Sequence, residues 1–82
     1  MPRFYFDLVL GMDYLRDDDG HELGSLQAAE RDAMHTAGEI ARSRLQNGSP
    51  EDIRVEVKDE HRQQVLAVTV SIRVDRIEPS HT

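Results

Sequence analysis

An alanine-rich run between Ser25 and Asn47 is the feature of this sequence that most restricts its fold. Ser25 is a good helix N-cap, while Asn47 and Gly48, followed closely by Pro50, form the expected helix end. At 3.6 residues per turn, small and aliphatic side chains in this run form one stripe. The stripe comprises Leu26, Ala29, Ala33, Ala37, Ile40 and Ala41, with Met34 and Leu45 at its borders. Because alanine is small, the sequence predicts a helix lying close on a sheet whose larger side chains fill the core.

Three stretches of alternating apolar and polar residues, and one short stretch that follows turn residues 11–13, predict the strands of that sheet. Residues 4–10 form the first strand, and residues 14–16 form a short second strand before an acidic turn at 17–20. Residues 53–59 and 65–77 form the third and fourth strands, after the helix. In the first strand, the side chains that face the helix are Phe4, Phe6, Leu8 and Leu10.

The predicted fold class is α+β: a two-layer ββαββ domain with one helix packed on a four-stranded, mainly antiparallel sheet. This single domain occupies residues 1–77, and residues 78–82 form a C-terminal tail. One helix covers only one face of the sheet, so the other face is left to water or to a partner. The candidate residues on this open sheet face are Tyr5, Val9, Val65 and Ala67.

The fourth predicted strand is much longer than its hairpin partner. At about 3.3 Å per residue, it extends roughly 20 Å beyond the third strand. Proteins normally pair, cover or blunt such an edge, and two-fold interfaces are self-complementary and common, so we expect a homodimer. The candidate interface residues are Ser71, Ile72, Arg73, Val74, Asp75 and Ile77. The alternative is that pairing breaks near Ser71 and the last ten residues trail as a tail.

Size and composition add support for self-association. The chain has 82 residues, of which 38% are apolar, and it has no cysteine. One small core supplies only about 3 to 5 kcal/mol of net stability, and neither a disulfide nor a thiolate zinc site can add to it. There is no signal-like amino terminus and no run approaching the roughly 18 apolar residues of a membrane span. We therefore expect a soluble, cytoplasmic protein without a membrane partner.

The net charge of −6 comes from sixteen acidic residues against ten lysines and arginines. This charge repels phosphate backbones and disfavours nucleic acid as a direct partner, whereas it suits a basic protein partner. Tyr5 could stack on an RNA base from an open sheet face. Because the ribonucleoprotein signature is missing, packing of Tyr5 against Val65, Ala67 or a second copy is the preferred interpretation.

No combination of residues demands a particular chemistry, so we predict neither an enzyme nor a cofactor or metal site. The cluster at 17–22, DDDGHE, does not fit an EF-hand loop, since Leu15 and Leu26 would fall at the first and twelfth ligand positions. It is better explained as a turn. His35 and Glu39 are four residues apart on the helix and form an ordinary exposed pair without a third ligand.

Three groups of residues nevertheless form a recognisable pattern. They are Met1, Pro2, Arg3, Phe4, Tyr5, Phe6 and Asp7; then Asp17, Gly20 and Leu23; then Ala28, Ala29, Ala33 and Ala37. In these the chain resembles a family of small uncharacterised bacterial proteins, a domain of unknown function common in rhizobia. The resemblance covers residues 1 to about 70 and implies no established activity. The chain departs from the family pattern at residues 11–13, where an Asp-Gly hairpin is expected, and in its longer final strand.

A more distant resemblance, in element order and acidity alone, is to the HicB-type antitoxin module, which partners a small RNA-cleaving toxin. The sequence therefore supports two main hypotheses. The first is a non-enzymatic, homodimeric binding or regulatory module that acts through protein contacts. The alternative is a HicB-like antitoxin or an RNA-associated regulator, and a small-ligand or metal-binding domain ranks third.

Overall fold

The computed structural model describes residues 1–49 and 51–79. Its elements are β1 (Arg3–Leu10), β2 (Asp13–Leu15), β3 (His21–Glu22), α1 (Leu26–Gln46), β4 (Ile53–Lys58) and β5 (Gln64–Val70). All four strand pairings are antiparallel. The predicted α+β class, with one helix on a sheet, is confirmed.

The sheet has the order β2-β1-β4-β5, and β3 also pairs with β1. β2 pairs with the last three residues of β1, and β3 pairs with the first two. The predicted ββαββ order with four strands is therefore incomplete, because β3 is an additional, fifth strand. It forms because the loop at residues 16–20 returns the chain to the start of β1, where His21 lies opposite Phe4.

The core lies between α1 and one face of β1, β4 and β5. Facing residues of β1 and β4 form pairs across the sheet, with Phe6 opposite Val57 and Leu8 opposite Val55. The helix contributes Ala29, Ala33, Ala37 and Ala41, all of which are buried. Leu26, Met34 and Leu45 are instead 47 to 59% exposed, so the buried face of α1 is narrower than predicted. The alanines let the helix approach closely, and the strands supply the larger core side chains.

Both predicted ends of α1 are confirmed. The Ser25 hydroxyl accepts a hydrogen bond from the Ala28 amide at 3.1 Å, and Gly48 follows the Asn47 C-cap with a φ of 71°. Such a positive φ suits glycine and ends the helix. Pro50, the further predicted stop signal, lies outside the described residues.

Replacing the cap tests the contribution of this helix start. Ser25→Ala should lower the free energy of unfolding by about 1 kcal/mol, because the Ala28 amide loses its acceptor. Urea denaturation followed by circular dichroism measures this change. Ser43→Ala, on the exposed surface of the same helix, is the control and should leave stability unchanged or slightly raised. An equal loss in both variants would contradict the capping role.

The fourth predicted strand, from about 65 to 77, is too long. It corresponds to β5, which ends at Val70, and residues 71–79 have no regular secondary structure. The reason is that Val70 pairs with Ile53, the first residue of β4. Beyond Val70, β5 therefore has no residue of β4 to pair with. Nothing in the described part of the chain pairs with the backbone beyond it.

Candidate functional site

A buried carboxylate organises the sheet face opposite the helix. Asp7 points away from α1 yet has no exposed surface, and it is the one fully buried charged residue among those described. Its Oδ2 atom accepts hydrogen bonds from Tyr14 Oη and Lys58 Nζ, each at 2.6 Å. Arg62 Nη2 donates to the same oxygen at 2.8 Å, and the Asp17 amide donates to Oδ1 at 2.8 Å. We call these five residues the Asp7 network.

The network shifts the pKa values of Asp7 and Lys58. Burial acts to raise the pKa of Asp7, but the hydrogen bonds from Lys58, Tyr14, the Asp17 amide and Arg62 together outweigh it and hold that pKa well below its ordinary value. The hydrogen bond to Asp7 likewise raises the pKa of Lys58. Both groups therefore stay charged near neutral pH, and neither is tuned to exchange protons there.

The acidic turn beside this network is built around Asp17. Its carboxylate accepts hydrogen bonds from the amides of Phe6, Asp19 and Gly20 at 3.0 to 3.2 Å. Burial acts to raise the pKa of Asp17, but these amides prevail and lower it. The prediction of a turn at residues 17–20 is confirmed, and the Asp17 carboxylate takes the place of a strand partner for Phe6 between β2 and β3.

Gly20 completes the turn in a conformation and a space that favour glycine. Its φ is 70°, and a Cβ there would lie 2.9 Å from the Phe4 carbonyl oxygen and 3.0 Å from the Tyr5 ring. The spacing from Asp17 to Gly20, which carried part of the family resemblance, thus has a structural cause: the carboxylate binds the glycine amide and the missing side chain lets the turn lie against β1.

The predicted open sheet face is more covered than the sequence suggests. The Arg62 guanidinium lies 4.9 Å from the centre of the Tyr5 ring, a cation–π arrangement, and Gly20 lies at the edge of that ring. Tyr5, Val9 and Ala67 are half-buried, and Val65 is 38% exposed at a bulge of β5. The expectation that Tyr5 packs on Val65 or Ala67 did not anticipate Arg62 as its neighbour.

A cleft of about 680 Å³ lies on the other side of the sheet, beside the first half of α1. Apolar side chains line part of it, namely Phe6, Leu8, Leu15 and Leu23. Its polar lining residues are Arg16, Asp17, His21, Glu22, Asp32, His35 and Thr36. Three carboxylates against one guanidinium make the cleft acidic, so its charge suits a cationic ligand better than a phosphate.

The predicted surface pair on the helix is present. His35 and Glu39 are both more than 70% exposed, and His35 Nε2 lies 3.2 Å from Glu39 Oε1. Within residues 1–49 and 51–79, no three histidine or acidic side chains are grouped closely enough to hold a metal ion. The same residues include no helix with the length and apolarity needed to cross a bilayer.

The candidate interface residues form an extended segment at the carboxyl end, residues 71–79, which we call the C-terminal segment. Ile72 is half-buried against the core beside Leu10, Ala41 and Ile53. Beyond it the segment leaves the domain, and Val74 and Ile77 are 70 and 89% exposed.

Two charged side chains of the C-terminal segment contact each other. Arg73 Nε donates to Asp75 Oδ1 at 2.9 Å, so these two side chains lie on the same side of the segment. The radius of gyration, 16.0 Å, exceeds the roughly 12 Å of a compact chain of this length, consistent with such a projection.

These features define a small α+β domain in which one helix covers one face of an antiparallel sheet. On the opposite face, the buried carboxylate of Asp7 joins the strands and the adjoining turns through hydrogen bonds. Comparison with known families gives a match over residues 3–71 to a domain of unknown function (DUF6894). The chain belongs to this family. No curated protein and no solved structure matches it. The match ends one residue after β5, which agrees with the predicted extent of the family resemblance and leaves most of the C-terminal segment beyond the matched region.

Proposed function

We propose that the protein is a non-enzymatic binding or regulatory module that acts through protein contacts as a homodimer. The observation that carries this proposal is the free outer edge of β5 and its continuation into the C-terminal segment. β5 stands last in the sheet, and its described outer edge has no strand partner. Proteins normally pair, cover or blunt such an edge, and pairing with a second copy is the simplest of these solutions here.

The exposed apolar residues of the segment support an interface rather than a solvated tail. Val74 and Ile77 project into solvent although both are β-branched residues that favour strands. Pairing with a second copy would bring them into contact with side chains of the partner and extend the antiparallel sheet across a two-fold axis. The charged states of Asp7 and Lys58 favour a structural role for that network over a catalytic one.

Light scattering coupled to size-exclusion chromatography tests this proposal. The full chain should elute with about twice its 9.4 kDa mass, and a chain ending after Ile72 should be monomeric. The shorter chain keeps all the described strands, the helix and the Ile72 core contact, so it should remain folded by circular dichroism. A monomeric full chain, or a shortened chain that stays dimeric, would contradict dimerisation through this segment.

The alternative, an RNA-associated or HicB-like regulator, has a different signature. An RNA-associated regulator requires an RNA mobility shift that weakens as salt concentration rises, whereas a HicB-like antitoxin requires a complex with a small toxin protein. The acidic cleft and the Arg62 side chain lying over Tyr5 favour protein contacts, since neither leaves an open, basic stacking surface.

A further inference from the structure

The geometry of a two-fold pairing restricts how two C-terminal segments can meet, and this inference rests on the proposed homodimer. An antiparallel pair of identical strands in one sheet is related by an axis perpendicular to that sheet. Such an axis keeps every side chain on its own face, and opposite residues in a ladder share a face. A residue must therefore lie opposite itself at the axis, and the question is which residue that is.

Charge removes several of the possible centres. An axis at Arg73 or Arg76 would place two guanidinium groups opposite each other, and an axis at Asp75 would do the same with two carboxylates. Like charges directly opposite each other destabilise a strand pair. Centres at Val70, Ser71 or Ile72 avoid repulsion, but they leave Arg73 and Asp75 opposite uncharged residues. A centre at Ile77 would place Arg76 opposite Glu78, but it would put Asp75 opposite Pro79, which has no amide to donate to the ladder.

An axis at Val74 gives a different result. It places Arg73 opposite Asp75 of the partner subunit, and Asp75 opposite the partner's Arg73. Within one chain, Arg73 and Asp75 already share a side of the segment and contact each other at 2.9 Å. The two chains together would then form a ring of four alternating charges around the axis on one face of the sheet, and the two Val74 side chains would meet on the other face.

We propose that two copies pair antiparallel through residues 70–78 with the two-fold axis at Val74, so that Arg73 and Asp75 select a second copy of this chain as the partner. The free edge of β5 leads directly into this pairing, because Val70 is its last residue. Exposed Val74 becomes the centre of the contact.

Two charge variants of the full chain test this register. Arg73→Asp alone should raise the dimer Kd by about tenfold or more, since four carboxylates then surround the axis, and Asp75→Arg should do the same with four guanidinium groups. An equimolar mixture of the two variants should recover a dimer containing one copy of each, with a Kd within about threefold of the unmodified chain. Sedimentation equilibrium measures the Kd, and native mass spectrometry identifies the mixed dimer.

The mixture isolates the contact between chains, because neither variant retains the Arg73–Asp75 pair within its own chain. Arg76→Asp is the control: it changes the net charge as Arg73→Asp does, but it lies opposite Ile72 in this register and should change the Kd by less than about threefold. Single variants that remain dimeric, or a mixture that stays monomeric, would overturn the register while leaving the homodimer intact. A monomeric unmodified chain would overturn both.

Discussion

Asp7→Asn should lower the free energy of unfolding by about 2 to 3 kcal/mol, one of the two largest effects we expect from a single substitution. The asparagine keeps the shape of the side chain but removes the charge that Lys58 and Arg62 share. These two cations would then lie close together, and Glu56, whose Oε1 lies 3.5 Å from Lys58 Nζ, would offset only part of their charge. The expected loss of stability is smaller than for a deeply buried ion pair. The side chains of Lys58 and Arg62 are 16 and 25% exposed in the folded protein, so water can hydrate their charges.

Urea denaturation at pH 7 measures this effect, and Asp18→Asn provides the matched control. Asp18 forms an ion pair with Arg16, but its side chain is 81% exposed. The same chemical change there should alter stability by no more than about 0.5 kcal/mol. Equal effects of the two substitutions would show that the buried position of Asp7 contributes nothing.

The same carboxylate makes stability depend on pH in a defined direction. The pKa of Asp7 is lowered in the folded protein from an ordinary value of 3.8. Its contribution is therefore complete above that ordinary value and is lost as pH falls toward the folded value, because the unfolded chain takes up a proton first. The melting temperature should fall between about pH 5 and pH 2, and Asp7→Asn should weaken this dependence. The pKa of Asp17 is also lowered, so the melting temperature of the Asp7→Asn variant should still fall with decreasing pH, but less steeply.

Gly20→Ala should lower the free energy of unfolding by about 2 to 4 kcal/mol, the other large effect that we expect. The substitution forces a residue with a side chain to adopt a φ of 70°, and its Cβ would collide with the Phe4 carbonyl oxygen. Because the clash is with backbone, it cannot be relieved by rotating a side chain. Thermal or urea denaturation measures the loss.

Gly48→Ala separates the two causes. Gly48 has nearly the same φ, 71°, but nothing lies within 4 Å of the position its Cβ would take. This control should lose only the backbone contribution, about 1 kcal/mol. If both alanine variants were destabilised equally, the clash with β1 at position 20 would add nothing to the loss in free energy of unfolding.

The helix and the facing residues of the strands could be predicted because their signals are local. Ser25, the alanines and Gly48 mark the helix within a single stretch, and the alternation in β1 separates Phe6 from Asp7 without reference to any other strand. The end of β5 could not be predicted in this way. Residues 71–77 have the pattern of a strand, but a strand exists only where a partner does, and β4 begins at Ile53.

The Asp7 network escaped prediction for a related reason. Its ion pairs join residues separated by 51 and 55 positions in the sequence, and they depend on the register that places Tyr5 opposite Lys58. The available signal was a lone acidic residue between Phe6 and Leu8 in a strand. That signal marks Asp7 as unusual, but it does not identify Lys58 or Arg62 as its partners.

The position of β1 inside the sheet has a consequence for how the protein is made. β1 is translated first, yet its main partner, β4, follows only after the whole of α1. A nascent chain that has just completed α1 can form the local β1–β2 hairpin, but its alanine stripe has no valine and isoleucine surface to cover. Cooperative folding must therefore await release of the β4–β5 hairpin from the ribosome. The emergence of this hairpin is the step after which the chain can reach its native structure.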